Sequence, residues 1–254
     1  MATLMTYFSS TLTKGNLFLI FALLSCSISP TCAFAIEDKD VGQKPPKNAI
    51  VLFDGKEESA WEHSPTKQAQ WKIEDGAMVV TPKTGNLFTH SKFENFRLHL
   101  EFALADMPTA TGQNKSNSGV KLYNIYEIQI LDSNNNPTYH GGGCGSIYRQ
   151  KDPDKNVCRK PGEWQSYDIT FFGPAFDNQK VLLEHPRVTL VWNGVKVHNN
   201  IEVIRATSSN SDVIPFITSG QIMLQDHGAP VKFRNIWIVP LKRPAPTLEI
   251  NDPK

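Results

Sequence analysis

Two short blocks concentrate the side chains that can do chemistry. One is Tyr126-Glu127-Ile128-Gln129-Ile130, closed by Leu131-Asp132; the other is Gln221-Ile222-Met223-Leu224-Gln225-Asp226-His227. Both read as strands, in which side chains two apart share a face. Tyr126, Ile128 and Ile130 then point into a core, while Glu127 and Gln129 point away from it. In the second block Gln221, Met223, Gln225 and His227 share the non-core face. A carboxylate and an imidazole can move protons near neutral pH, and amides suit hydroxyl-rich ligands. The competing reading is that an outer sheet face is polar because it meets water; such faces usually carry Lys, Glu and Thr rather than this mixture.

Other groups stand nearby in sequence. Asp132 opens a long irregular stretch, either as an Asx turn or as a functional carboxylate. Arg234-Asn235 lies just beyond His227, and strand parity lets one of the pair face a site, where an arginine could stabilise an oxyanion. Tyr148 and Trp164 are core aromatics or a wall for stacking a sugar ring. Gly141-Gly142-Gly143 beside His140 lacks the lysine and the helix of a phosphate loop. It is expected to let a loop pass close to a ligand or another backbone. His63, His90, His99, His185 and His198 show no metal-type spacing and read as surface or structural.

The elements that must position these groups are strands. Ala49–Phe53, Trp71–Glu74, Ala77–Val80, Phe96–Phe102, Gly119–Tyr123, Tyr126–Leu131, Tyr167–Phe172, Val188–Trp192, Val195–Val197, Gly220–Gln225 and Val231–Val239 alternate or run apolar between turn residues. Asp75-Gly76 and Asn193-Gly194 are hairpin turns. In Phe96–Phe102 the strict alternation predicts one buried and one wet face. No segment carries a sustained helical period, so the fold class is all-β, a two-sheet antiparallel sandwich or a barrel. The stretch Asp132–Pro161 is the long loop, of the kind that usually serves function.

The N-terminus reads as an export signal. Lys14 precedes the apolar run Leu17–Leu24, too short to span a bilayer. Ala33-Phe34-Ala35 would free the chain at Ile36; Leu23-Leu24-Ser25-Cys26 would instead leave a lipid on Cys26. Either places the protein outside the cytoplasm, secreted or in the periplasm or cell envelope. Residues 1–35 are thus the leader, 36–48 a flexible linker with Pro45-Pro46, 49–241 one domain and 242–254 a loose tail. Of 26 basic residues only Lys14 lies in the leader, and the others balance 25 acidic ones. With no basic cluster, nucleic acid and anionic membranes are not expected as partners. Cys144 and Cys158 remain in the domain, and an even pair in an exported protein is expected to form a disulfide.

The blocks occur in a specific order. Leu52-Phe53-Asp54-Gly55-Lys56 leads to Trp61; Trp71–Gly76, Asn117-Ser118-Gly119-Val120, Tyr126–Asp132, Gly145–Tyr148, Pro161-Gly162-Glu163-Trp164, Asn193-Gly194-Val195 and Leu224–Ile236 follow. Over residues 49–241 the chain resembles the 3-keto-disaccharide hydrolase domain family. The resemblance implies a concanavalin-like jelly roll and action on glycosides oxidised at C3. It departs at Ala60, where the family has Gly, and at Gln165, where it has Asn; the second departure is expected to touch substrate choice. Residues 201–218 match no family motif.

The implied substrate suggests a mechanism. A ketone at C3 acidifies the proton on C2, so a base can start an elimination. His227 or Glu127 would be the base, Arg234 the enolate stabiliser, and Gln129 and Gln225 the holders of hydroxyls, with Asn117, Tyr148 and Trp164 also binding substrate. Direct hydrolysis would instead need two carboxylates, for which Glu127 and Asp132 are the nominees. A divalent cation could bind through either, although no spacing demands one. A non-catalytic carbohydrate-binding module is the alternative function, and a surface adhesion domain a further one. The fold hosts all of them; a module needs aromatics and amides without a titrating pair.

Overall fold

Fifteen strands account for nearly all the regular structure of the computed structural model, which describes residues 40–63, 71–207 and 213–243. The expected leader with Cys26, its expected processing sites and most of the expected tail lie outside these residues. In chain order the strands are β1 Ile50–Phe53, β2 Trp61–His63, β3 Lys72–Glu74, β4 Ala77–Val79, β5 Leu87–Thr89, β6 Phe96–Ala103, β7 Ser118–Leu122 and β8 Tyr126–Ile130. They continue as β9 Trp164–Phe172, β10 Ala175–Phe176, β11 Leu182–Glu184, β12 Arg187–Trp192, β13 Val195–Glu202, β14 Met223–Leu224 and β15 Lys232–Pro240. One helical turn, Gly112–Asn114, precedes β7.

Turn chemistry sets the hairpins. Asp75 and Gly76 join β3 to β4 with φ of 51° and 74°, and Asn193 and Gly194 join β12 to β13 with 50° and 76°. Positive φ at both central residues matches the twist of the flanking strands. Thirteen of the strands assemble into two antiparallel sheets, and β10 and β11 pair with each other separately. The larger runs β13-β12-β9-β6-β15-β4-β3, with β1 also paired to β15; the smaller runs β2-β5-β14-β7-β8. This is the expected two-sheet sandwich. The strands β2, β5 and the β10-β11 pair are too short to show an alternation in the sequence.

The inward faces of the two sheets meet in one core. Leu98, Leu100, Ile169, Phe171, Leu190 and Phe233 come from the larger sheet, and Val120, Leu122, Tyr126, Ile128 and Ile130 from the smaller. Rings of Phe171 and Tyr126 lie 5.8 Å apart across the interface. Tyr167 of β9 spans the core, its hydroxyl donating to Gln129 O of β8 at 2.8 Å. A buried phenol needs such a partner.

The outer face of β6 departs from expectation. Instead of being wet, His99 and Glu101 are both fully buried. Residues 40–43, expected in a flexible linker, cover them. Gly42 N and Asn235 Nδ2 donate to Glu101 Oε1, Asn235 Nδ2 also donates to Gln43 O, and Asp40 pairs with Arg159. Arg234 Nε donates to Glu101 Oε2 at 2.7 Å, and His99 Nδ1 lies 3.2 Å from Asp168. Burial alone would raise the Glu101 carboxyl; hydrogen bonds from His99, Asn235, Arg234 and Gly42 overrule it and hold the pKa at about 2. His99 is shifted upward because its two carboxylate neighbours outweigh its burial.

The pH window of this cluster follows from those directions. The stabilisation from Glu101 should be complete above the ordinary carboxylate range and lost as pH falls toward 2. That from His99 should be present below its ordinary value and lost as pH rises past its raised one. Glu101→Ala leaves Arg234 without its partner and His99 with Asp168 alone, and should cost about 3–5 kcal/mol. Urea unfolding of both proteins between pH 3 and 9 checks this; a variant as stable as the parent would show that the cluster does not hold the sheet face.

Candidate active site

The smaller sheet carries the site on its outer face, and a backbone ladder builds it. β8 is an edge strand, and the long loop seals that edge. Gln129 N donates to Ser146 O, Gly145 N to Gln129 O, and Tyr148 N to Glu127 O, at 2.9–3.0 Å. All five residues of β8 are consequently buried, on both faces. The ladder also delivers Tyr148 and Arg149 to the rim above Glu127.

The glycine run explains how the loop turns back. A Cβ on Gly141 would sit 2.8 Å from Arg149 Cα, and one on Gly142 would sit 2.4 Å from the Tyr139 ring. Arg149 N donates to Gly141 O at 2.8 Å, with Arg149 at a φ of 56°. Close passage of backbone is therefore what these glycines permit, as expected.

The resulting cavity, about 400 Å³, is lined by Gln113, Asn117, Lys121, Glu127, Gln129, Tyr148, Arg149, Thr207, Gln225 and His227. Both sequence blocks therefore face one pocket, but their strands are not neighbours: β7 runs between β14 and β8. It contributes Lys121, directly opposite Glu127, and Gly119, directly opposite Gln129. Gly119 makes the room, since a Cβ there would lie 2.6 Å from Glu127 Oε1.

Glu127 is 5 % exposed, with Lys121 Nζ 3.6 Å from its Oε2. With its amide nitrogen turned toward them, Gln129 donates to Ser118 O at 3.1 Å and to Glu127 Oε1 at 3.2 Å. Burial raises the Glu127 pKa, only partly offset by the positive charges of Lys121, His227 and Arg149. Thr207 fixes the strand from below: its hydroxyl donates to Ile125 O and accepts from Glu127 N. Two buried acceptors in the lining, Asn117 Oδ1 and Gln225 Oε1, have no protein partner, so a ligand hydroxyl can satisfy them. Tyr148 completes the rim, its hydroxyl 2.7 Å from that of Tyr139.

Glu127, Gln129, Gln225, His227, Asn117 and Tyr148 thus meet as expected, whereas three other expected site residues do not. Asp132 is fully buried outside the pocket, 3.1 Å from Lys115 Nζ, and its Oδ1 accepts from Asn134 N in an Asx turn. Arg234 and Trp164 lie on the outer face of the other sheet, because Phe233 and Gln165, their neighbours in sequence, are the buried members of the alternation. Gln165 does not touch the pocket either. Its Oε1 accepts from Arg159 N, Trp192 Nε1 and Asn193 Nδ2, a structural role.

The expected disulfide is absent: Cys144 and Cys158 are free thiols. They are hydrogen-bonded neighbours, with Cys144 Sγ also 3.0 Å from the Tyr167 hydroxyl and Cys158 Sγ turned toward Arg159 O. Among the described residues no group of three or more His, Cys, Asp or Glu side chains gathers to hold a metal. Of the two carboxylates considered for a divalent cation, Asp132 is instead committed to Lys115. Sequence reasoning missed Gln113, Lys121, Arg149 and Thr207. Parity on β7 could have found Lys121; nothing in the sequence signals Thr207, which falls in the stretch without a family motif.

Comparison with known proteins adds three findings. The 3-keto-alpha-glucoside-1,2-lyase-like domain profile matches residues 48–239. A solved candidate glycosyl hydrolase from Parabacteroides distasonis ATCC 8503 is 42 % identical, covering 77 % of this chain and 85 % of that one with a TM-score of 0.72. A second candidate glycosyl hydrolase from the same organism shares the fold at 20 % identity, 77 % and 94 % coverage and a TM-score of 0.58. Among the curated proteins nothing matches the chain.

Gly119→Ala should fold, since Gly119 has no positive φ, but its methyl group must displace the Glu127 carboxylate. Ligand binding and any turnover should fall at least tenfold with little change in thermal midpoint. Unchanged binding and turnover would mean that the position of Glu127 is not critical.

Proposed function

The chain belongs to the 3-keto-alpha-glucoside-1,2-lyase-like domain family, and from that premise we propose that it is an exported enzyme that cleaves C3-oxidised glycosides by elimination. The observation that supports this most directly is the carboxylate count of the pocket. Among the described residues Glu127 is the only Asp or Glu in its lining, whereas the common hydrolytic route uses two carboxyl groups flanking the bond.

A ketone at C3 makes one carboxylate sufficient, because it acidifies the neighbouring C2–H. Glu127 takes that proton, and the C–H electron pair becomes the C2=C3 bond of an enolate. The negative charge gathers on the C3 oxygen, where Lys121, and Arg149 from the exposed rim, supply positive charge. As the ketone re-forms, the pair moves into C1=C2 and the C1–O bond breaks. His227 gives the departing oxygen its proton. Water adding across C1=C2 would then complete a net hydrolysis. Asn117, Gln129 and Gln225 hold the ring hydroxyls, and Arg149 takes the part the sequence assigned to Arg234.

The buried carboxyl also sets a pH dependence. Glu127 must be ionised to act, and its pKa is raised; turnover should therefore climb with pH through a value above the ordinary carboxylate range. The same amides would serve a carbohydrate-binding module. The buried acid facing Lys121 favours the enzyme, since a binder gains nothing from an uncomfortable carboxylate.

The decisive experiment offers a methyl 3-keto-glucoside and its unoxidised parent, with and without a chelator. Only the keto compound should be consumed, and Glu127→Gln and His227→Ala should each cost about 10²–10⁴-fold. Loss with chelator would add a cation at Glu127. If neither compound is consumed and one binds saturably, the protein is a binding module.

A further inference from the structure

Trp164 and Arg234, displaced from the active site, define a second cleft. It lies on the outer face of the larger sheet and has a volume of about 580 Å³. The guanidinium of Arg234 sits 3.9 Å from the centroid of the half-buried Trp164 ring. That plate is rigid for a specific reason. Arg234 Nε is tied to Glu101, whose charge is itself pinned by Asn235 and Gly42. A guanidinium anchored through Nε keeps its terminal nitrogens in a fixed fork.

The rest of the cleft complements the plate. Ala77 and Ala103 provide a low apolar floor, and the half-buried Trp164 with Gly162 lines the wall. Lys232, on the same face two residues from Arg234, adds donors, while Glu74 and Asp75 on the β3-β4 hairpin add acceptors. The Arg234 charge is met by Glu101, and Lys232 stands with Glu74 and Asp75, so no excess of positive charge marks the cleft for an anionic ligand. An apolar floor, an aromatic wall, and donors and acceptors at the rim match a ring with apolar faces and hydroxyl edges. Among the described residues no buried carboxylate lines the cleft.

We propose that this cleft is a second, non-catalytic binding site for a neutral oligosaccharide. It lies on the opposite sheet from Glu127, so both sites can be occupied together. The proposal does not depend on the elimination mechanism.

Calorimetry with maltohexaose, cellohexaose and xylohexaose, using the full exported chain, tests it without any readout of turnover. At least one should bind saturably. Trp164→Ala and Glu74→Ala should each weaken that binding at least fivefold, whereas Gln225→Ala, in the other pocket, should leave it intact. Glu74 is exposed, so its variant decides the matter should Trp164→Ala fail to fold. Both cleft variants should turn over a small keto-glucoside at the parent rate if the parent does. Absence of binding by all three glycans, or binding lost with Gln225→Ala and kept in the cleft variants, overturns the proposal.

Discussion

The site depends on three backbone hydrogen bonds that zip the loop around residues 145–148 onto the free edge of β8. An unpaired edge would leave Glu127 and Gln129 on a solvated rim, with ordinary chemistry. Sealing it buries the strand on both faces and places Tyr148 and Arg149 over the carboxylate. From within the core, Tyr167 supports the same strand by donating to Gln129 O. The loop can turn back this tightly only because Gly141 leaves room for the Arg149 backbone.

Two buried glutamates on opposite sheets show how environment separates structure from chemistry. Both occupy outer-face positions of a strand, and both lose their water. Glu101 gains an arginine, a histidine, an asparagine and a backbone amide, and its charge is pinned. Glu127 gains a lysine at 3.6 Å and one amide, too little to repay its desolvation, and its pKa rises. The first is satisfied and holds residues 40–43 to the sheet. The second is left with a raised pKa. A search for buried carboxylates alone would rank them equally; counting their partners separates them.

Much of this could be read along the chain. Strand parity correctly put Glu127 with Gln129 and Gln225 with His227, because alternation is a local property of extended backbone. It also assigned the Asp75-Gly76 and Asn193-Gly194 hairpins, whose positive φ values are intrinsic to those residues. Parity misled at β6, where the polar face looked wet and proved buried, because a segment more than fifty residues away lies on it. It also put Arg234 in the wrong site, since alternation says which side of its own sheet a residue takes but not which sheet carries the site.

The sequence by itself therefore determined the fold class, the longer strands, the family and the faces that carry Glu127, Gln129, Gln225 and His227. Those follow from periodicity and turn chemistry, which act over a few residues. Only the tertiary structure decided that β7 separates the two blocks, that Lys121, Arg149 and Thr207 join them, and that Asp132, Trp164 and Arg234 lie elsewhere. Strand order and loop closure bring together groups tens of residues apart, and the burial they create determines which carboxylate is pinned and which has its pKa raised.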